Sequence, residues 1–161
     1  MSILDVAKNI EDEGYTFYKD LSEKTENKEI KGVFEVLARE ELNHKKYFDQ
    51  LKRDSSFVAP DYQGTSRDAK QIFKTLKKNF DKKGITPDAS KAYEQALELE
   101  KNNVEFFKKS LSESTDTNEK KLIELVLAEE YRHVEYLETL LDLVNEVKNP
   151  LVDAEWVDTQ Y

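Results

Sequence analysis

The sequence predicts an all-α fold, a bundle of four long helices made of two repeated helical hairpins with a long crossover that contains a short helix. Four Gly and three Pro in 161 residues leave little of the turn grammar of strands, while Lys, Glu and Leu are abundant. Apolar residues recur at alternating spacings of three and four, the period of a buried helix face. The chain also repeats itself: one shift lays IEDEGYTFYK on LEKNNVEFFK and EELNHKKYF on EEYRHVEYL, so that Glu11 falls on Glu100 and His44 on His133.

The elements follow in order. The first helix starts after Ser2 as N-cap and runs through Ala7, Ile10, Gly14, Phe17 and Leu21 to about Lys24. Asn27 caps the second, whose stripe Phe34, Leu37, Glu41, His44, Phe48 and Leu51 ends near Arg53. Residues 54–67 lack periodicity and hold Pro60 and Gly64, which reads as a loop. A short amphipathic helix follows on Ala69, Ile72, Phe73, Leu76 and Phe80, with Gly84 as its stop. Thr86 and Pro87 signal the start of the third long helix, which fades near Ser112. The fourth begins at Asp116, with Glu119 three residues on as in a capping box, and stops before Pro150. Residues 1–149 are thus expected to be one bundle, with 54–86 as crossover, and the tail 150–161 has no pattern that places it. A crossover of that length is what helices of roughly 36 Å require if the second hairpin is to start at the far end.

Bulk properties exclude several function classes. The formal charge of -9, with both signs interspersed, argues against a basic face for nucleic acid or anionic membrane. No run of about 18 uncharged apolar residues suggests a membrane span, and an N-terminus that turns acidic at once does not resemble a secretory signal. The expected location is cytoplasmic. The absence of Cys excludes disulfides, thiolate metal sites and a rubredoxin-type module within these residues, so any metal must use oxygen and nitrogen ligands.

The stripes contain an anomaly that points to such a metal. The fourth long helix runs Ile123, Val126, Glu130, His133, Leu137, Leu140 and Val144, and the second carries Glu41 and His44 at the same place. Burying unpaired charge costs several kcal/mol. Glu11 lies between Ala7, Gly14 and Tyr18 on the first helix, and its repeat mate Glu100 between Ala96, Asn103 and Phe107. Each half therefore supplies one lone Glu and one Glu-x-x-His, whose two side chains share a helix face and can close on one ion. Four carboxylates and two imidazoles in a bundle interior match the ligand set of carboxylate-bridged di-iron and di-manganese proteins. Two divalent ions would neutralise the four carboxylates, and oxygen-rich ligation with open positions suits Fe(II) or Mn(II) better than a closed zinc site. On the residues alone the expected cofactor is a pair of iron or manganese ions, with zinc as a substitute.

Glu13, Glu40 and Glu129 fall outside the stripes and read as solvated groups or, at most, as supports for the ligands. Tyr18 is either a core aromatic or a hydroxyl that bonds a ligand, and Tyr47 and Tyr136 read as packing.

At these residues the chain resembles the rubrerythrin branch of the ferritin-like superfamily, in its small members without a rubredoxin domain. EDEGYTFYKDLSEKT with EELNH in the first half, and EEYRH in the second, are similar to that group's helix motifs, and the resemblance covers residues 1 to about 148. It implies a di-iron bundle that reacts with hydrogen peroxide or dioxygen in oxidative-stress defence, often as a homodimer. Carried over by position, the metal ligands are Glu11, Glu41, His44, Glu100, Glu130 and His133. Electrons would come from an external donor such as a rubredoxin-type protein. Rubrerythrins carry a further carboxylate three residues after the second lone Glu, where this chain has Asn103. An amide supplies no charged seventh ligand, so the expected centre is a symmetric six-ligand one, with Asn103 and Tyr18 as its neighbours. The alternatives are a ferroxidase or iron-handling protein, and a non-catalytic structural bundle.

Overall fold

A computed structural model describes residues 1–61, 67–78 and 89–148, and among them there are five helices and no strand. They are α1 (Ile3–Lys24), α2 (Lys28–Arg53), α3 (Arg67–Lys78), α4 (Ala89–Glu113) and α5 (Thr117–Lys148). Helix starts are fixed by side chains that satisfy amides the first turn leaves open. Ser2 caps α1 in a reciprocal box with Asp5, and Asn27 Oδ1 accepts from Ile30 N at 3.1 Å to start α2. Asp116 Oδ1 accepts from Glu119 N at 2.8 Å to start α5. The expected stop at Gly84, the start at Thr86 and Pro87, the side chains of Ala69 and Phe80, and the tail from Pro150 lie outside the described residues.

α1 packs along α2 and α4 along α5 as two hairpins, and the hairpins meet through α2 with α5 and α1 with α4. α3 lies on α2, where Gly32 leaves room for Ile72, and Phe73 stacks on Tyr136 of α5 with centroids 4.8 Å apart. The buried line of α1 is Ala7, Glu11, Gly14, Tyr18 and Ser22; Ile10, Phe17 and Leu21 sit on its flank, half-buried. The expected stripes of α2 and α5 are buried along their whole length.

The apolar core is split in two. One part gathers Tyr18, Phe34, Leu37, Ala96, Leu137 and Leu140; the other gathers Ala7, Phe48, Phe107, Ile123 and Val126. On each of the four long helices the residues between those two parts are the polar ones of the anomaly. No described helix is long and apolar enough to cross a membrane.

Candidate metal centre

Glu11, Glu41, His44, Glu100, Glu130 and His133 are all fully buried. They assemble two overlapping clusters, Glu11 with Glu41, His44 and Glu130, and Glu41 with Glu100, Glu130 and His133. Within each cluster one ligating atom per residue lies within 4.8 Å of every other. Glu41 and Glu130 belong to both, so each cluster takes three side chains from one hairpin and a shared carboxylate from the other. The two imidazoles face each other nearly parallel, with centroids 6.0 Å apart and planes 20° apart.

Both rings turn the same edge inward. His44 Nδ1 lies 3.2 Å from Glu11 Oε2 and 3.3 Å from Glu130 Oε1, and His133 Nδ1 lies 3.1 Å from Glu41 Oε1. The outer edges are held across the bundle: His133 Nε2 bonds Glu40 Oε2 at 2.7 Å, and His44 Nε2 bonds Glu129. Glu40 and Glu129 are thus not solvated surface groups. Each precedes a shared Glu on its own helix and reaches the histidine of the opposite hairpin. A ring that donates Nε2–H to a carboxylate presents its Nδ1 lone pair inward, the tautomer a metal requires. The sequence signal for these two residues is the doublet in Glu-Glu-x-x-His, present in both halves. Glu13 is exposed.

Tyr18, with no exposure at all, donates its hydroxyl to Glu100 Oε1, an oxygen of the other hairpin. Its repeat mate is Phe107, so this bond has no counterpart. Asn103 is buried as well, at 7 % exposure, and its Nδ2 has no hydrogen-bond partner. Gly14, the repeat mate of Asn103, faces Glu41: a Cβ there would stand 2.9 Å from Glu41 Oε2. Tyr47 stacks on Phe57 and Tyr136 on Phe73, both as packing.

Without metal, the centre is electrostatically frustrated. Burial, then neighbouring carboxylates, push the carboxyls of Glu41 and Glu130 well above the ordinary range, and burial raises Glu11. Burial also opposes ionisation of Glu100, but His133 and hydrogen bonds including that of Tyr18 outweigh it and hold its carboxyl at about 2. The imidazoles run the other way: burial disfavours their charged form, yet the surrounding carboxylates raise both His44 and His133 well above the usual value.

The donor set fits a pair of divalent ions. Glu11 Oε1, Glu41 Oε2, Glu100 Oε2 and both carboxylate oxygens of Glu130 are buried without a hydrogen-bond donor. Such acceptors cost free energy unless something positive meets them, and among the described residues no lysine or arginine is buried to do so. Four carboxylates and two imidazoles, aimed at two overlapping points, supply the charge and the soft-to-hard balance of iron or manganese ligation.

Comparison with curated proteins and with solved structures gave no significant match. The sequence profile of the Rubrerythrin family matches residues 2–141, a span that contains all six buried ligand-type residues and both halves of the repeat. The cofactor of that family is a pair of iron ions, and the helical layer with its two overlapping clusters has the composition to bind it. The chain belongs to the rubrerythrin family, a group of di-iron, oxidoreductase-like helical bundles.

Proposed function

We propose that this chain reduces hydrogen peroxide to water with electrons from an external donor, on two iron ions held by Glu11, Glu41, His44, Glu100, Glu130 and His133. The observation that carries the reading is the pair of overlapping clusters, fully buried, with Glu41 and Glu130 common to both. When bound, the iron pair supplies open coordination positions and two electrons, one per ion, which matches the two-electron demand of peroxide; dioxygen reduced to water demands four.

The protein's own groups do the rest. Glu41 and Glu130 fix the spacing of the two clusters, because each belongs to both. Glu40 and Glu129 hold the outer N–H of His133 and His44, which prevents ring rotation and keeps Nδ1 inward. Tyr18 holds a proton on its hydroxyl oxygen, kept there by burial and by Glu100, and orients that carboxylate. The apolar layers on either side, with Phe34 and Leu137 on one and Phe48 and Phe107 on the other, exclude water from the carboxylates. The 161 residues contain no cysteine and so hold no thiolate-bound iron of their own; a rubredoxin-type centre outside them is the proposed source of electrons.

Stopped-flow oxidation of anaerobically Fe(II)-loaded protein tests the reading. Oxidation is expected to be much faster with peroxide than with dioxygen at equal concentration. Equal or reversed rates would remove the peroxidase assignment, and iron accumulating beyond two per chain would assign a ferroxidase instead.

A further inference from the structure

A groove of about 400 Å³ lies between α1 and α4, lined by Ile10 and Glu13 on one side and by Glu98, Leu99 and Asn103 on the other. It runs beside the centre. Ile10 precedes Glu11, Leu99 precedes Glu100, and Asn103 stands one helical turn after Glu100 on the same face. α1 and α4 also touch less than the helices within either hairpin, so the bundle is thinnest here. The groove has a polarity. Glu13 and Glu98, both exposed, stand along its outer part, while the inner lining includes the Asn103 amide, 7 % exposed with an unpartnered Nδ2.

We propose that this groove is the passage by which a small neutral oxidant reaches the carboxylates, and that Asn103 is a binding residue that receives it by donating Nδ2–H to one of its oxygens. This deepens the peroxidase reading above and rests on it for the identity of the oxidant. Three features select the ligand class. Carboxylates at the mouth repel anions and leave a neutral molecule unhindered. The same carboxylates would draw cations to the mouth, but the group left without a partner further in is an N–H donor, which gives a cation nothing to bond. A buried amide hydrogen with nothing to bond is a standing cost that an oxygen acceptor of two or three atoms removes. Hydrogen peroxide has that size and chemistry. Gly14, at the repeat-related position on α1, cannot offer such a donor, so the site exists on one side of the pseudo-symmetric centre only.

The test combines two variants with a probe that does not react. In zinc-loaded protein, which has no electrons to give, the side-chain amide resonances of Asn103 are expected to shift on titration with hydrogen peroxide and to be unaffected in Leu99→Trp, which fills the groove. In Fe(II)-loaded protein, Leu99→Trp is expected to slow oxidation by peroxide about tenfold, and Asn103→Ala to raise the peroxide concentration for half-maximal rate about tenfold, the worth of one buried hydrogen bond. Metal content is followed in both variants and is expected to match the parent, and the melting temperature is expected not to fall in Asn103→Ala, which removes an unpartnered buried amide. If the Asn103 resonances ignore peroxide and Leu99→Trp oxidises at the parental rate, the passage is elsewhere and the proposal fails. If Leu99→Trp slows Fe(II) uptake and not peroxide, the groove is a cation route and the proposal fails as well. If the parent does not consume peroxide while the amide still shifts with it in the zinc form, the groove proposal holds and the peroxidase reading falls.

Discussion

Replacing Gly14 by alanine separates what the bundle needs from what the metal needs. The added Cβ would meet Glu41 Oε2 at 2.9 Å, its Cδ at 3.0 Å and its Cγ at 3.3 Å. Ordinary contact begins roughly 0.5 Å further out, so the Glu41 carboxylate must move by about that distance, the tolerance within which ligands have to be held. Glu41 belongs to both clusters, and both ions should feel the shift. Misplaced ligands and their supports typically cost about 10- to 100-fold in metal affinity, which is roughly 1.4 to 2.8 kcal/mol per ion. The metal-free protein should respond with the opposite sign. Ala is favoured over Gly in a helix interior by about 0.5 to 1 kcal/mol, and Glu41 Oε2 has no hydrogen bond to lose when it moves. Denaturation of metal-free Gly14→Ala should therefore show equal or higher stability than the parent, while competition titration with a chelator shows weaker binding and the gain in melting temperature on loading shrinks. Parental affinity in a folded Gly14→Ala protein would refute the placement of Glu41 at the shared position.

Glu40→Leu and Glu129→Leu should each weaken metal binding by about 10- to 100-fold with little change in helix content, because the imidazole loses the acceptor that fixes its tautomer; unchanged affinity in both by calorimetry would show that the rings are held by other means. Removing metal should cost more stability as pH rises. Glu41 and Glu130 have raised carboxyls and His44 and His133 raised imidazoles, so each favours the metal-free fold below its ordinary value and loses that contribution as pH climbs through the raised one, while Glu100, held at about 2, contributes a constant amount at neutral pH that is lost only as pH falls through that value. The gap between the melting temperatures of loaded and chelated protein should widen from pH 6 to 9, and a constant gap would contradict the burial of these groups. Tyr18→Phe should destabilise the metal-free protein by roughly 1 to 3 kcal/mol in urea titrations, since it takes a buried donor from Glu100; a neutral effect would mean that the hydroxyl has no such partner.

The period of the chain made most of this centre legible, and its limits explain what was hidden. Glu41 and His44 occupy positions where a six-residue stripe demands apolar side chains, and a second copy in α5 does the same, so burial and pairing followed from spacing alone. Ser2, Asn27 and Asp116 marked helix starts because short oxygen-bearing side chains do one recognisable thing there. Spacing left Glu40 and Glu129 open between solvated groups and supports for the ligands, because an adjacent helix residue points about 100° away, which on a single helix is toward solvent. In a bundle that direction is the seam with the neighbouring helix, and an imidazole is long enough to bring its outer nitrogen there. On α1 the inward line of Ala7, Glu11, Gly14 and Tyr18 was legible from spacing even though the larger apolar residues Ile10, Phe17 and Leu21 lie beside it, and its small residues let carboxylates approach. The partnership of Tyr18 with Glu100 depends on how two hairpins dock, which no local pattern encodes.

Because each cluster takes three residues from one hairpin and one from the other, a lone hairpin holds half of everything and the whole of nothing. Two copies of one such hairpin, docked about a two-fold axis, would rebuild the same six residues from separate chains, since an isologous pairing gives each copy what the other lacks. That arrangement would impose identity on the two sides: a tyrosine on one would be a tyrosine on both, and a glycine likewise. Joining the halves through a crossover lifts this constraint. Tyr18 can then differ from Phe107 and Gly14 from Asn103, and a centre that repeats its buried carboxylates and imidazoles becomes free to set a phenol beside one half and an amide beside the other.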